Sequence, residues 1–250
     1  MGCSESTLED ERKPLKQAFY TIKDNYASLE ELQNGLKKAG LESSNLVIAI
    51  DYTKSNEGNG QRTFYGKSLH CMNAVNNRGE PLMNPYQQVI SIVAKTLEPV
   101  DDDKLIQTFG FGDINTTDKS AFPFWPDRVA YGVNEVLQRY NEITPQIVLS
   151  GPTNFAPAIY RTIDIVREQK QYHILVIIAD GEVIKIRETA NAIVEASNYP
   201  ISIIMVGVGD GPFDLMEEFD DKLPQRKFDN VTLPFLFFFS KTKLLFSFNL

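Results

Sequence analysis

Leu46-Val47-Ile48-Ala49-Ile50-Asp51-Tyr52-Thr53-Lys54-Ser55 decides how this chain of 250 residues is read. Its first five residues form a continuous apolar run with the length and β-branched content of a buried strand. One carboxylate and two hydroxyls follow at every second residue, so Asp51, Thr53 and Ser55 leave the carboxyl end of that strand together. A loop there can aim three oxygens at one point. Hard divalent cations take such oxygen clusters, and Mg²⁺ accepts few protein ligands and keeps several waters. Taken alone, D-x-T-x-S reads as a polar turn with an Asx cap.

Two later segments change that reading. Ser150-Gly151-Pro152-Thr153-Asn154-Phe155 is a turn leading into a helix start, with Thr153 placed to point out of the loop. Ile174-Leu175-Val176-Ile177-Ile178-Ala179-Asp180-Gly181 is a second apolar strand ending in an acid and a glycine. Ligands of open α/β sheets bind outside the carboxyl ends of the strands, near a switch in strand order. Asp51, Thr53, Ser55, Thr153 and Asp180 therefore form a candidate five-residue site for Mg²⁺ or Mn²⁺.

The remaining chain supplies a matching framework. Ser28 to Glu31 is a capping box that opens a helix ending at Gly40. Residues 58–81 read as loops or a short hairpin. Asn84-Pro85 is an N-cap and N1 pair for a helix through Lys95. Strands are expected over 105–109, 173–179 and 201–206, and helices over 131–140, 155–168 and 187–197. Phe155, Ile159, Ile163 and Val166 share one face of their helix. Strands alternating with helices predict an α/β fold, a doubly wound and mainly parallel sheet flanked by helices. Gly207-x-Gly-x-Gly-Pro212 reads as a tight turn, because Pro212 stands at the third position of a dinucleotide fingerprint. Asp113 and Asp210 also follow strands, and either support of the metal site or turn capping fits them equally. Of the two histidines, His173 opens a buried strand and reads as a hydrogen-bonded core group.

The Asp51 motif, the loop Thr153 and Asp180-Gly181 are together similar to the metal-ion-dependent adhesion site (MIDAS) of von Willebrand factor A domains. Lys67-Ser-Leu-His70, Asn84-Pro-Tyr-Gln-Gln88, Phe109-Gly-Phe-Gly-Asp113, Ser150-Gly-Pro-Thr153, Tyr172-His173, Val206-Gly-Val-Gly-Asp-Gly-Pro212, Phe219-Asp-Asp221 and Lys227-Phe-Asp-Asn230 carry the likeness further. On these motifs the chain resembles the copine-type A domain over roughly residues 25–230. Within that group it resembles the plant RING-domain E3 ubiquitin ligase (copine-like) proteins, which also open with Met-Gly and share the sequence here running from Gly40 to Leu46. True copines would begin with two C2 domains. The resemblance implies that Ser and Thr hydroxyls bind the cation directly and that the Asp carboxylates hold its waters. One coordination position is then left for an acidic side chain donated by a protein partner. It also implies a ubiquitin-conjugating enzyme as partner of full-length relatives. The connection between Val183 and Thr189 is shorter than in those relatives.

Composition narrows the function classes. A net charge of -8 argues against nucleic acid as a partner, since phosphate binding requires clustered Lys and Arg. Cys3 and Cys71 are the only cysteines, which fits a reducing cytosol and no disulfide framework. A RING needs eight Cys and His ligands, and two of each are present, so the expectation is a domain without its RING. Met1-Gly2-Cys3-Ser4-Glu5-Ser6 fits the N-myristoylation pattern, with Cys3 placed for a palmitoyl chain. Gly2 and Cys3 are thus candidate lipidation sites, and two chains give stable anchoring where one does not.

The expected organisation is a lipid-anchored arm over residues 1–24, the A domain over 25–230, and an atypical hydrophobic tail over 231–250 whose start can supply the last strand. The expected location is the cytoplasmic face of the plasma membrane, with cytosol and nucleus for an unlipidated form. The expected function is metal-dependent protein binding, the substrate-recruiting part of a RING-type E3 ubiquitin ligase family. Two alternatives stay open: an active ligase by family membership, and a RING-less protein that interferes with the full-length ligase. A metal-dependent hydrolase would need a general base near Asp51, and neither histidine is placed for one.

Overall fold

The computed structural model describes residues 44–76, 78–97, 101, 103–221, 223, 226–227 and 229–232. The expected helix over 28–40, the N-terminal arm and the tail beyond Thr232 lie outside the described residues.

Strand β1 (Asn45–Asp51) is buried along its whole length. It lies at the centre of the sheet, hydrogen-bonded in parallel to β4 (Leu105–Phe111) on one side and to β7 (His173–Ala179) on the other. Strand β8 (Ile201–Gly207) continues in parallel beside β7, and the two-residue β9 (Val231–Thr232) pairs beside β8. Antiparallel β5 (Ala121–Pro123) and β6 (Ala130–Tyr131) pair with β4 at the opposite edge. The order β5-β4-β1-β7-β8-β9 is the doubly wound sheet read from the sequence. A separate two-stranded hairpin, β2 (Ala74–Val75) with β3 (Pro81–Leu82), ends one residue beyond the stretch expected to be loops or a hairpin.

Two cores sit on opposite faces of this sheet, and the strand period of two assigns residues to them. Leu46, Ile48, Ile50 and Tyr52 join Ile174, Val176 and Ile178 on one face, covered by α1 (Pro85–Leu97) and α2 (Val133–Ile143). Val47 and Ala49 join Leu175, Ile177 and Ala179 on the other, covered by α3 (Ala156–Gln169), α4 (Ile186–Ala196) and α5 (Asp214–Asp221). A strand buried on both faces is apolar along most of its length, which is why residues 46–50 and 174–179 read as unbroken hydrophobic runs.

Local sequence explains two of the helix starts. Asn84 caps α1, its Oδ1 accepting from Gln87 N at 2.8 Å, and Gln87 Oε1 accepts from Asn84 N at 2.7 Å. This reciprocal pair satisfies two donors at the helix start. Asn154 Oδ1 likewise accepts from Ala156 N at 3.0 Å at the start of α3. One helix begins later than the sequence predicts. Ala130 and Tyr131 form β6, and α2 starts at Val133, because Gly132 takes a φ of 75° that breaks the chain between strand and helix.

The topology places a crevice. After β1 the chain crosses to the face carrying α1, whereas after β7 it crosses to the face carrying α4. The loops leaving these neighbouring parallel strands diverge, and the carboxyl ends of β1 and β7 are the switch point of the sheet.

Ile177 lies at the centre of β7 with no exposed surface. Ile177→Ala is expected to cost about 2–5 kcal/mol, read as a lower urea midpoint with an unchanged m-value. A loss below about 0.5 kcal/mol would contradict the close packing described for this face.

Candidate metal site at the sheet switch point

Asp51 ends β1 and is fully buried. Its Oδ1 accepts from Thr53 N at 2.7 Å, an Asx turn that directs the chain out of the strand. Its Oδ2 is buried and meets no donor among the described residues. Asp180, next after β7, is also fully buried. Its Oδ2 accepts from Asn59 Nδ2 at 3.0 Å, the Ser55 side chain lies close enough to hold its pKa down, and its Oδ1 meets no donor among the described residues. Ser55 Oγ lies 3.1 Å from Thr53 Oγ1. Hydrogen bonds join Asp51, Thr53 and Ser55, and Asp180 lies within electrostatic reach of them.

Thr153 arrives by backbone pairing. Lys54 N donates to Ser150 O at 2.6 Å, which ties the 150–155 loop to the loop after β1. The Thr153 carbonyl accepts from Ile184 N and Lys185 N, each at 3.1 Å, which ties it to the loop after β7. Thr153 is buried between the two. Gly112, with φ +83°, lets β4 pass against this loop, since a Cβ there would stand 2.3 Å from Thr53 Cγ2.

The electrostatics follow from burial. Loss of water raises the Asp51 pKa well above the usual carboxylate range, the neighbouring Asp180 charge raises it further, and the Thr53 hydrogen bonds oppose the rise. Burial also raises Asp180, against hydrogen bonds from Ser55 and Asn59. Two buried carboxylates, each keeping one oxygen without a donor and set among hydroxyls, are chemically suited to a hard divalent cation. Among the described residues no group of three or more His, Cys, Asp and Glu side chains is placed to hold a metal. The donor set here is instead two carboxylates with Ser and Thr oxygens.

Asp113 resolves as a turn cap, whereas Asp210 ties its loop to residues 62 and 63. Asp113 accepts from Asn115 N at 3.2 Å and Thr116 N at 3.0 Å. Asp210 accepts from Arg62 N at 2.8 Å and Thr63 N at 2.9 Å. His173 is a hydrogen-bonded core group, with Nδ1 3.0 Å from Gln171 O and Nε2 2.9 Å from Gln169 Oε1. It opens β7, whereas the site lies beyond that strand's other end. Four residues against the site were not singled out from the sequence. Asn59 holds Asp180. His70 Nε2 lies 2.8 Å from the Asp51 carbonyl, and Tyr86 and Asn56 hold the loop from below. The only sequence signals for them were Asn56 following Ser55 and His70 and Tyr86 recurring in family-like motifs, and neither signal carries a direction in space.

Comparison with known proteins fixes the relationship. A Copine family model matches residues 68–235. The chain belongs to the copine family. It is 48% identical over 241 residues to E3 ubiquitin-protein ligase RGLG2 of Arabidopsis thaliana, a match covering 91% of this chain and 50% of that protein. It is 48% identical over 204 residues to Copine family protein 1 of Caenorhabditis elegans, covering 81% of this chain and 18% of that one. The chain thus spans about half the length of the ligase relative. Among solved structures, that of manganese-loaded Plasmodium vivax TRAP protein is similar in fold, with a TM-score of 0.51 and 11% identity, covering 77% of this chain and 68% of that one.

In this copine-family domain, the two site carboxylates repel each other in the absence of a cation. Asp180→Asn is expected to stabilise the chelator-treated protein, read as a higher melting temperature. The same change should remove any stabilisation by added Mg²⁺. A lower melting temperature in chelator would show that the carboxylates are not in conflict.

Proposed function

We propose that this domain captures protein partners through a divalent cation, Mg²⁺ or Mn²⁺, held by Asp51, Thr53, Ser55, Thr153 and Asp180. The observation that carries this reading is the pair of buried carboxylate oxygens without donors, Asp51 Oδ2 and Asp180 Oδ1, at the carboxyl edge of the sheet. When bound, the cation supplies a local positive charge that lets an acidic chain take an acidic side chain from its partner. A groove of about 550 Å³ walled by Asn154, the residue after Thr153, and by Tyr160, Arg161 and Glu188 gives room for further partner contacts.

A hydrolytic reading has less support. His70 is the histidine nearest the site, and burial pushes its pKa down to about 3. Both of its ring nitrogens are committed to hydrogen bonds, so it is not free to act as a general base.

The ligase relatives suggest what the capture serves. We read this domain as the substrate-recruiting part of that family's ubiquitination activity. The 250 residues contain two Cys and two His, fewer than the eight zinc ligands of a RING. Acting alone, they would therefore bind substrate or compete for it, with no surface of their own for a charged conjugating enzyme. The Met1-Gly2-Cys3 start supports attachment of this activity to the cytoplasmic face of the plasma membrane through lipid on Gly2 and Cys3.

Calorimetry with Mg²⁺ tests the site. The wild-type chain is expected to bind one ion, and Asp51→Ala is expected to lose that binding and all chelator-sensitive partner capture while keeping its fold. Unchanged Mg²⁺ affinity in Asp51→Ala would sink the assignment. Cell fractionation tests the anchor: wild type should sediment with membranes and Gly2→Ala should move to the soluble fraction, whereas identical partitioning would rule the anchor out.

A further inference from the structure

A buried polar network lies directly beneath the metal loop. His70 is almost wholly buried, its ring sandwiched between Tyr86 at 4.0 Å and Tyr52 at 4.8 Å between centroids, both stacked at 17°. The Asp51 carbonyl can only accept, so His70 Nε2, 2.8 Å away, carries the ring proton and donates it. Neutral Nδ1 must then accept, and the Tyr140 hydroxyl donates to it at 2.8 Å. Tyr140 Oη accepts in turn from Asn84 Nδ2 at 3.1 Å, and Asn84 Oδ1 accepts from the first turn of α1 at Gln87 N. One directed chain of hydrogen bonds therefore runs from the N-terminus of α1, through α2, to the carbonyl of Asp51.

A second chain holds the other half of the loop. The Tyr86 hydroxyl donates to Asn56 Oδ1 at 2.6 Å, and Asn56 Nδ2 donates to the Thr53 carbonyl at 3.1 Å. The Asn56 carbonyl accepts from Leu69 N at 2.9 Å, which binds the loop to the segment carrying His70. Asn56, Tyr86, Tyr140 and Asn84 have no exposed surface. Burying so many polar groups is costly unless each is paired, and here these donors and acceptors pair with one another along a path that ends on the loop backbone.

We propose that His70, Tyr86 and Asn56 are positioning residues that set the cation affinity of the Asp51–Ser55 loop and its preference for Mg²⁺ over Ca²⁺. This rests on the cation reading given above. The argument is one of rigidity. Mg²⁺ demands a small, near-octahedral oxygen set at short distance, whereas Ca²⁺ accepts more ligands in a looser geometry. A loop clamped at the carbonyls of residues 51 and 53 cannot widen, and it holds the side chains of Asp51, Thr53 and Ser55 at fixed separations. Releasing one clamp loosens the loop without removing any cation ligand. Partners that orient metal ligands in this way change affinity by about 10–100-fold when removed.

The test uses the full 250-residue chain with Tyr86→Phe and Tyr140→Phe, which each delete one hydroxyl and keep the ring, and Ile177→Val as a control that loosens the core elsewhere. Mg²⁺ and Ca²⁺ affinities are measured by calorimetry for each, at a temperature where circular dichroism shows all of them folded. Hydrogen exchange over residues 51–57 is followed in the metal-free proteins. Tyr86→Phe is expected to weaken Mg²⁺ about 10-fold, to weaken Ca²⁺ less, and to speed exchange in the loop, with Tyr140→Phe acting in the same direction. Ile177→Val is expected to lower the melting temperature with both affinities unchanged. If Mg²⁺ binds wild type but its affinity and its ratio to Ca²⁺ are unchanged in both tyrosine variants, the positioning role is overturned and the cation site stands. The same loss in Ile177→Val would reduce it to general stability and overturn it too. If wild type binds neither ion, the cation reading fails and takes the proposal with it, whatever hydrogen exchange shows of the clamp itself.

Discussion

Asp51 and Asp180 place two carboxylates at the ends of adjacent parallel strands, beyond the reach of water and within electrostatic range of each other. Among the described residues neither has a basic partner, and each keeps one oxygen without a donor. Such an arrangement opposes folding, because charged groups lose hydration on burial and like charges raise each other's pKa. The rest of the site is arranged around that conflict. Among the described residues Thr53 N and Asn59 donate to the two carboxylates but leave two oxygens free, and the Thr153 loop closes over them through backbone bonds to both neighbouring loops.

The sheet makes this juxtaposition inevitable once β1 and β7 are neighbours. The register pairs Ile50 with Ile178, so Asp51, one residue on, and Asp180, two residues on, leave neighbouring strand ends offset by one position. Beneath them the imidazole of His70 is stacked between two tyrosines, and it fastens the Asp51 carbonyl to helices on one face. A rigid floor under a charged pocket suits a cation with strict geometry. That floor also accounts for the fully buried hydroxyls of Tyr52 and Tyr140, which serve hydrogen bonds to Thr144 and His70.

Much of this was legible in the sequence. The unbroken apolar runs before Asp51 and Asp180 could be buried parallel strands only if helices covered both faces, and alternation with amphipathic helices supplied those helices. The Asn84-Pro85 pair fixed the start of α1 because its capping chemistry is local. The start of α2 was misread because amphipathic spacing runs on through Tyr131, while the break depends on the positive φ of Gly132 and on β6 pairing with β4. His70, Tyr86, Asn59 and Asn56 stayed hidden for a related reason. Their partners lie elsewhere in the chain or on the loop backbone, and only the folded sheet supplies the direction in which each side chain points.

The central claim is that the two buried carboxylates and their hydroxyl neighbours form a cation site. Crystals of the 250-residue chain grown with Mn²⁺, with data collected at the manganese edge, test it most directly. The account predicts one strong anomalous peak in contact with the Asp51, Ser55, Thr153 and Asp180 cluster, absent from crystals of Asp51→Ala. Well-ordered Mn²⁺ elsewhere on the protein, with no peak between β1 and β7, would contradict it.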